Sequence, residues 1–196
     1  MKRKFLPIIF CLAAFVSSQF AYTQEIKNYY LDKEEFEING EIFTIKVHPK
    51  YFQLENKNNK LFTAKQYFPN GEEVTGEHRL GGRAHLIDPE APMNIAKSFF
   101  SESELQCLKD AKCVVYISPA VSIEGDILET KIGIIGDGNC FFSIPPERIY
   151  EFDQAIRDGL KFRLEEIVHT WGFSYVQGFS IPINFKKKYN NISNKQ

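Results

Sequence analysis

The chain is poor in several things, and each shortage excludes something. Among 196 residues there are one tryptophan, two methionines and four cysteines. No Cys-x-x-Cys pair occurs, so the spacing that builds a structural zinc site is missing. Positive charge is not in surplus. Lys and Arg number 24 against 25 Asp and Glu, a formal net charge of −1, so nothing is suited to gathering nucleic-acid phosphates. No apolar run reaches the ~20 residues that a membrane-spanning helix needs. Catalytic signatures are lacking as well: there is no Gly-x-Ser-x-Gly elbow, no His-Glu-x-x-His and no P-loop. Aromatics are abundant, with 18 Phe and 9 Tyr, a load that favours strands and aromatic-filled cores. Apolar residues at 43% and charged residues at 25% are ordinary globular usage, enough for one domain or one domain with a small appendage.

The N-terminus reads as a secretory signal peptide over residues 1–23. Lys2, Arg3 and Lys4 form a positive start, residues 5–16 an apolar run, and Ser17, Ser18, Ala21 and Thr23 supply small residues for a peptidase. Cleavage is expected after Ser18, Ala21 or Thr23. Cys11 lies inside the apolar run behind Phe10, which argues against a lipidated cysteine. Cleavage after Thr23 removes three cations and no acid, leaving 21 Lys and Arg against 25 Asp and Glu, a net charge of −4. The expectation is a periplasmic or secreted bacterial protein with no stable membrane anchor after cleavage. An oxidising compartment permits a disulfide, and the three remaining cysteines cannot all pair within one chain.

Residues 24–85 read as β-hairpins. Asn39-Gly40 sits between apolar runs, and both central residues of a type I′ turn need positive φ. A second hairpin is expected from 51–54 to 61–68 across Asn56-Lys57-Asn58-Asn59, and Pro69-Asn70-Gly71 makes the next turn. The stretch from Lys65 to Glu73 resembles the Tyr-x-x-Asn-Gly element of MORN-type hairpin repeats. Residues 86–97 read as part of a polar, Gly/Pro-containing connector. His78, Arg79, Arg83, His85 and Asp88 lie in or near it, too loosely spaced to aim ligands at a metal.

From residue 98 to 185 the pattern is sharper. Ser101-Glu102-Ser103-Glu104 fits a capping box, and Leu105, Leu108 and Ala111 recur at helical spacing. Strands are expected over 113–124 and 127–135. A two-residue Gly125-Asp126 turn would set Ile117, Val121, Ile123, Leu128, Ile132 and Ile134 on one face. The same register brings Cys113 near Cys140, a possible disulfide. Pro145-Pro146 opens a helix whose buried stripe is Ile149, Phe152, Ile156 and Leu160. Residues 161–172 fit either an end at Gly159 or a second short helix through Leu164, Ile167, Val168 and Trp171. The closing strand alternates Phe173, Tyr175, Phe179, Ile181, Ile183 and Phe185 with mostly polar neighbours, and Pro182 implies that it lies at an edge or is locally unpaired on that side. Residues 186–196 read as a disordered tail, with an Asn191-Ile192-Ser193 sequon.

The order helix, hairpin, helix, strand resembles the C-terminal domain of TonB-type energy transducers. The matching residues are Val114-Val115-Tyr116-Ile117 through Val121-Ile123-Glu124-Gly125-Asp126-Ile127, the helix from Ile149 to Leu160, and Phe179-Ser180-Ile181-Pro182-Ile183-Asn184-Phe185. The chain departs from that family in having a cleavable signal and no Pro-rich spacer. The fold class is therefore expected as α+β, with N-terminal hairpins followed by an α-β-β-α-β antiparallel sheet covered by helices on one face. The resemblance implies a mode of action, in which a partner segment adds a strand to the sheet edge. The expected partner is an envelope protein, met by the strand carrying Phe173, Tyr175, Gln177, Phe179, Ile181, Ile183 and Phe185. No cofactor or metal is expected. A secreted hydrolase is the alternative, but His48, His78, His85 and His169 are scattered, Glu165-Glu166 point different ways on a helix, and Asp137-Gly138-Asn139-Cys140 lacks the carboxylates of a calcium loop. A secreted inhibitor or surface antigen, recognised through the N-terminal hairpins, is the third reading.

Overall fold

The computed structural model describes residues 28–30, 33–48, 51–78, 80–136 and 139–185. The expected signal peptide, tail and sequon lie outside them. The class is α+β. One large antiparallel sheet runs in the order β1 (Glu35–Ile38), β2 (Glu41–His48), β3 (Tyr51–Asn56), β6 (Ile127–Ile135), β5 (Val114–Ser122). Beyond β5, two short strands share the last position. β8 (Tyr175–Val176) pairs with one end of β5 and β9 (Ile181–Asn184) with the other. A two-stranded ribbon joins β4 (Ala84–Leu86) to β7 (Phe162–Leu164). Helices α1 (Ala91–Phe99) and α4 (Pro146–Gly159) pack together, α1 against β9 and α4 against β6 and β1. Between them in sequence come α2 (Glu102–Asp110) and α3 (Asn139–Phe142), and α5 (Glu166–Thr170) follows β7.

Local signals fix several elements as expected. Asn39 and Gly40 hold φ of 52° and 80°, the left-handed pair of a type I′ turn, and Ile38 faces Glu41 across it. Ser101 caps α2: its hydroxyl accepts from the Glu104 N–H at 3.3 Å, while the Glu104 carboxylate accepts from the Ser101 N–H at 2.8 Å. Burial alone would raise the Glu104 carboxyl, but the Ser101 bonds and Arg148 hold it below its usual range. Ile149, Phe152, Ile156 and Leu160 of the α4 stripe are all buried.

Other expectations are corrected. β3 does not form a hairpin with 61–68. It pairs with β6, Leu54 facing Ile132, so the N-terminal hairpins and the C-terminal strands make one sheet. Residues 61–68 hold no strand, only the small turn around Gly71 closed by a Tyr67–Glu73 bridge. Residues 86–97 contain most of α1, started by Pro92 in its first turn and seated by Met93 and Ala96. Residues 161–172 contain both β7 and α5. The β5–β6 register sets Ile117 opposite Ile132 and Pro119 opposite Thr130, two residues from the expected pairing. The cause is a three-residue turn with Gly125 at φ 93°. Leu128 is an extra residue on β6 between Ala120↔Glu129 and Val121↔Ile127, so it bulges outward, 43% exposed, while Ile127 is buried.

The disulfide joins Cys107 to Cys140, not Cys113 to Cys140, with Cα atoms 5.7 Å apart. Cys113 is buried in the core and takes no part in the bridge. The bond ties α2 to α3, whose Phe141 and Phe142 pack on Tyr30 and Phe52. Core side chains come from one face of the sheet: Phe43, Ile45, Phe52, Leu54, Val115, Ile117, Ile132, Ile134, Ile181 and Ile183 are buried. The opposite face carries Lys46, Gln53, Glu55, Tyr116, Ser118 and Lys131, which alternate with them along the strands.

Candidate edge-break site

The most informative place is the gap between β8 and β9. On β5, the odd residues carry the bonds to this side. Pro182 has no N–H, so the Tyr116↔Pro182 pair must be a position whose backbone groups point away from β5, leaving Ile117↔Ile181 and Val115↔Ile183 as the bonded pairs. At the other end Val121 pairs with Val176, and the Ile123 N–H donates to the Ser174 carbonyl at 3.3 Å. The next bonded position would be Pro119, which has no N–H to donate. The ladder fails there. Four steps separate Ile117 from Val121 and five separate Val176 from Ile181, so the outer strand carries an extra residue, and Gly178 takes φ 88°. Among the described residues, Gln177, Gly178, Phe179 and Ser180 make no backbone–backbone hydrogen bond.

A groove of about 440 Å³ opens beside this gap. Its floor is the outer face of the sheet at Ser118 and Lys131, one side is the break itself, and the other is the irregular segment carrying Phe62, Val74 and Leu80. The Ser118 and Ser180 hydroxyls share a 2.7 Å hydrogen bond. Lys131 Nζ lies 2.8 Å from Glu55 Oε1 and 4.4 Å from the centre of the Phe62 ring. The irregular wall is fastened by polar contacts. The Glu129 carboxylate accepts from the Lys60 and Leu61 N–H groups at 2.8 and 2.9 Å. Asn59 Nδ2 donates to the Thr130 carbonyl at 2.8 Å, and Gln66 Nε2 to the Tyr175 carbonyl at 2.9 Å. Tyr175 Oη donates to the Leu61 carbonyl at 3.0 Å. Burial and the Glu129 charge push this phenol up, which keeps it a donor. Behind the break, Gly81 backs onto Gly178 and Phe179, where a Cβ would fall 2.7 Å from the Phe179 Cβ.

Of the seven edge-strand residues expected to meet a partner, five are buried: Ile181, Ile183 and Phe185 in the core, Phe173 against Phe68 and Trp171, and Tyr175 beneath the segment after β3, with its hydroxyl on the Leu61 carbonyl. Gln177 and Phe179 line the groove. Sequence reasoning missed Ser118, Lys131 and Phe62, which reach the groove only through non-local pairing. The one local signal was Pro119, a residue without a donor inside a strand.

The polar groups of the groove are the Lys131 ammonium, held by Glu55 and lying over the Phe62 ring, and the paired Ser118 and Ser180 hydroxyls. Cys140 has no thiol, because it is bonded to Cys107. His169 lines a separate cavity of about 500 Å³ with Glu124 and Arg163. His78 contacts Glu72, and His85 contacts Glu165, which Arg83 also holds. Among the described residues no three His, Cys, Asp or Glu side chains converge as a metal site requires, and no helix is long and apolar enough to cross a membrane.

No protein-family model and no curated protein matches the chain. A solved structure does: the crystal structure of a DUF5043 family protein from Bacteroides uniformis ATCC 8492 superposes with a TM-score of 0.57 at 15% identity, covering 76% of this chain and 84% of that one. At this identity the likeness establishes a common fold with an uncharacterised bacterial protein and carries nothing of its activity.

Proposed function

We propose that the protein is a non-catalytic extracytoplasmic binding protein of the bacterial envelope, engaging a protein partner at the outer edge of its sheet. The observation that carries this reading is the break at residues 177–180, four consecutive residues on an edge with no backbone partner among the described residues. Gly178 and Ser180 are exposed and Gln177 and Phe179 half-buried, so the backbone of this stretch stands open at the edge, as strand addition requires. The Cys107–Cys140 bridge fits an oxidising compartment, and the secretory pattern of the N-terminus fits the same address. The resemblance to TonB-type C-terminal domains adds a mode of action, recognition by backbone pairing.

The test is capture of envelope proteins by the mature protein and by Gln177→Pro, each carrying a photo-crosslinking residue at Ser180 or, as a control, at Glu37 on the opposite edge. The Gln177 N–H has no backbone partner among the described residues, so proline there leaves the ladder intact. Adducts are expected at Ser180, reduced by Gln177→Pro, and absent at Glu37. Equal adducts at both edges, or recovery indifferent to Gln177→Pro, would overturn the reading.

A further inference from the structure

Both long edges of the sheet are closed to a long added strand. On β1 the backbone groups that face outward belong to Glu35 and Glu37, because Ile38↔Glu41 and Phe36↔Phe43 are the bonded pairs of a two-residue hairpin. Charged residues blunt such an edge. On β9 the outward positions are Pro182, which offers a carbonyl and no N–H, and Asn184 at the strand's last residue. Between them in accessibility stands the break, where Gly178 and Ser180 are exposed and the groove adjoins. Four residues at ~3.3 Å each span about 13 Å.

Resting on the reading that this edge meets a protein, we infer that the occupant is a short extended peptide segment of about four residues, its backbone bonded to residues 177–180 and one apolar side chain seated between Phe62 and Phe179. The groove volume, about 440 Å³, is that of a ligand-sized cleft. Its walls at Phe62, Val74, Leu80 and Phe179 are apolar. Among the described lining residues the one cation, Lys131, is paired with Glu55, so no charged anchor is selected. One hydrogen bond between Ser118 and Ser180 uses one hydroxyl proton, leaving the other O–H to donate to a peptide carbonyl. Specificity then comes from one pocketed side chain, and affinity from the backbone.

The test starts from a phage-displayed library of linear random heptapeptides panned on the mature protein. Enriched peptides are synthesised and their binding measured by fluorescence anisotropy. A shared apolar residue is expected. N-methylation at alternate backbone positions should weaken binding at least tenfold, and at the intervening positions little. Phe179→Ala and, on the opposite wall, Phe62→Ala should each weaken it about tenfold, with circular dichroism reporting that both variants fold. Enriched peptides that tolerate N-methylation everywhere, or that ignore both Phe substitutions, would overturn the inference. An unenriched library would also count against it. Crosslinks at Ser180 persisting in either of those cases would leave the broader binding reading standing, and their loss would remove both.

Discussion

At Gly125 the backbone lies at φ 93°, and an added Cβ would fall 2.0 Å from the Phe162 carbonyl oxygen. The Gly125 carbonyl in turn accepts from the Phe162 N–H at 3.0 Å. Gly125→Ala therefore meets both left-handed strain and a backbone collision that no side chain can relieve. A loss of about 3 kcal/mol is expected in urea unfolding. Asp153 is the second residue with a defined cost. It is buried, accepts from the Thr130 hydroxyl, and pairs with Arg157 Nε at 2.9 Å, while Arg157 Nη1 reaches the carbonyl of the bulged Leu128 at 3.2 Å. Asp153→Ala strands a guanidinium and should cost about 3 kcal/mol. Burial holds this carboxyl above its ordinary 3.8, despite the pull of Arg157 and Thr130. The folded state then binds the proton more tightly than the unfolded chain, so this group's contribution to stability falls as pH rises from 3.8 through the folded value. Glu104 acts with the opposite sign, since its lowered carboxyl contributes stability above its ordinary 4.5 that is lost as pH falls through the folded value. Urea titrations of Asp153→Asn against the parent at several pH values should show the Asp153 decline vanish and the Glu104 loss remain.

Elements whose cause is local were legible in the sequence. The capping box at Ser101, the Asn39-Gly40 turn and the α4 stripe each depend on neighbours within a few positions. Elements set by distant partners were not. Residues 61–68 carry Leu61, Phe62, Tyr67 and Phe68 like a strand, yet β3 finds β6 instead, because Phe52 and Leu54 complete the core there. The hairpin register failed for a different reason. A left-handed glycine and a bulge at Leu128 each shift the pairing, and neither leaves an alternation that a reader of the chain could count. Half of the candidate site was visible, Gln177 and Phe179 on the closing strand. Its floor and far wall come from β5, β6 and the segment after β3. The disulfide choice was equally non-local: Cys107 on α2 points at α3, while Cys113 enters the core. Closing a span of 33 residues, this bridge should contribute ~3–4 kcal/mol. The mature chain in denaturant should titrate one thiol, from Cys113, and three after reduction. Cys107→Ser should lower stability by about that amount, and Cys113→Ser should leave the bridge intact by mass spectrometry.

At the scale of the whole molecule, one sheet face is filled by helices and two edges are blunted by glutamates and by proline. Among the described residues the outer edge is interrupted at 177–180, where no backbone–backbone hydrogen bond forms. That interruption arises from Pro119 and is widened into a groove by a polar-fastened segment, so the binding reading rests on one place in the fold. The most direct measurement is hydrogen–deuterium exchange of the mature protein with and without a saturating library-selected heptapeptide. Slower exchange is expected in fragments covering 175–181 and 60–66, with the β1–β2 hairpin unchanged. Protection confined to residues 35–48, or no protection at 175–181 despite saturation, would contradict the account.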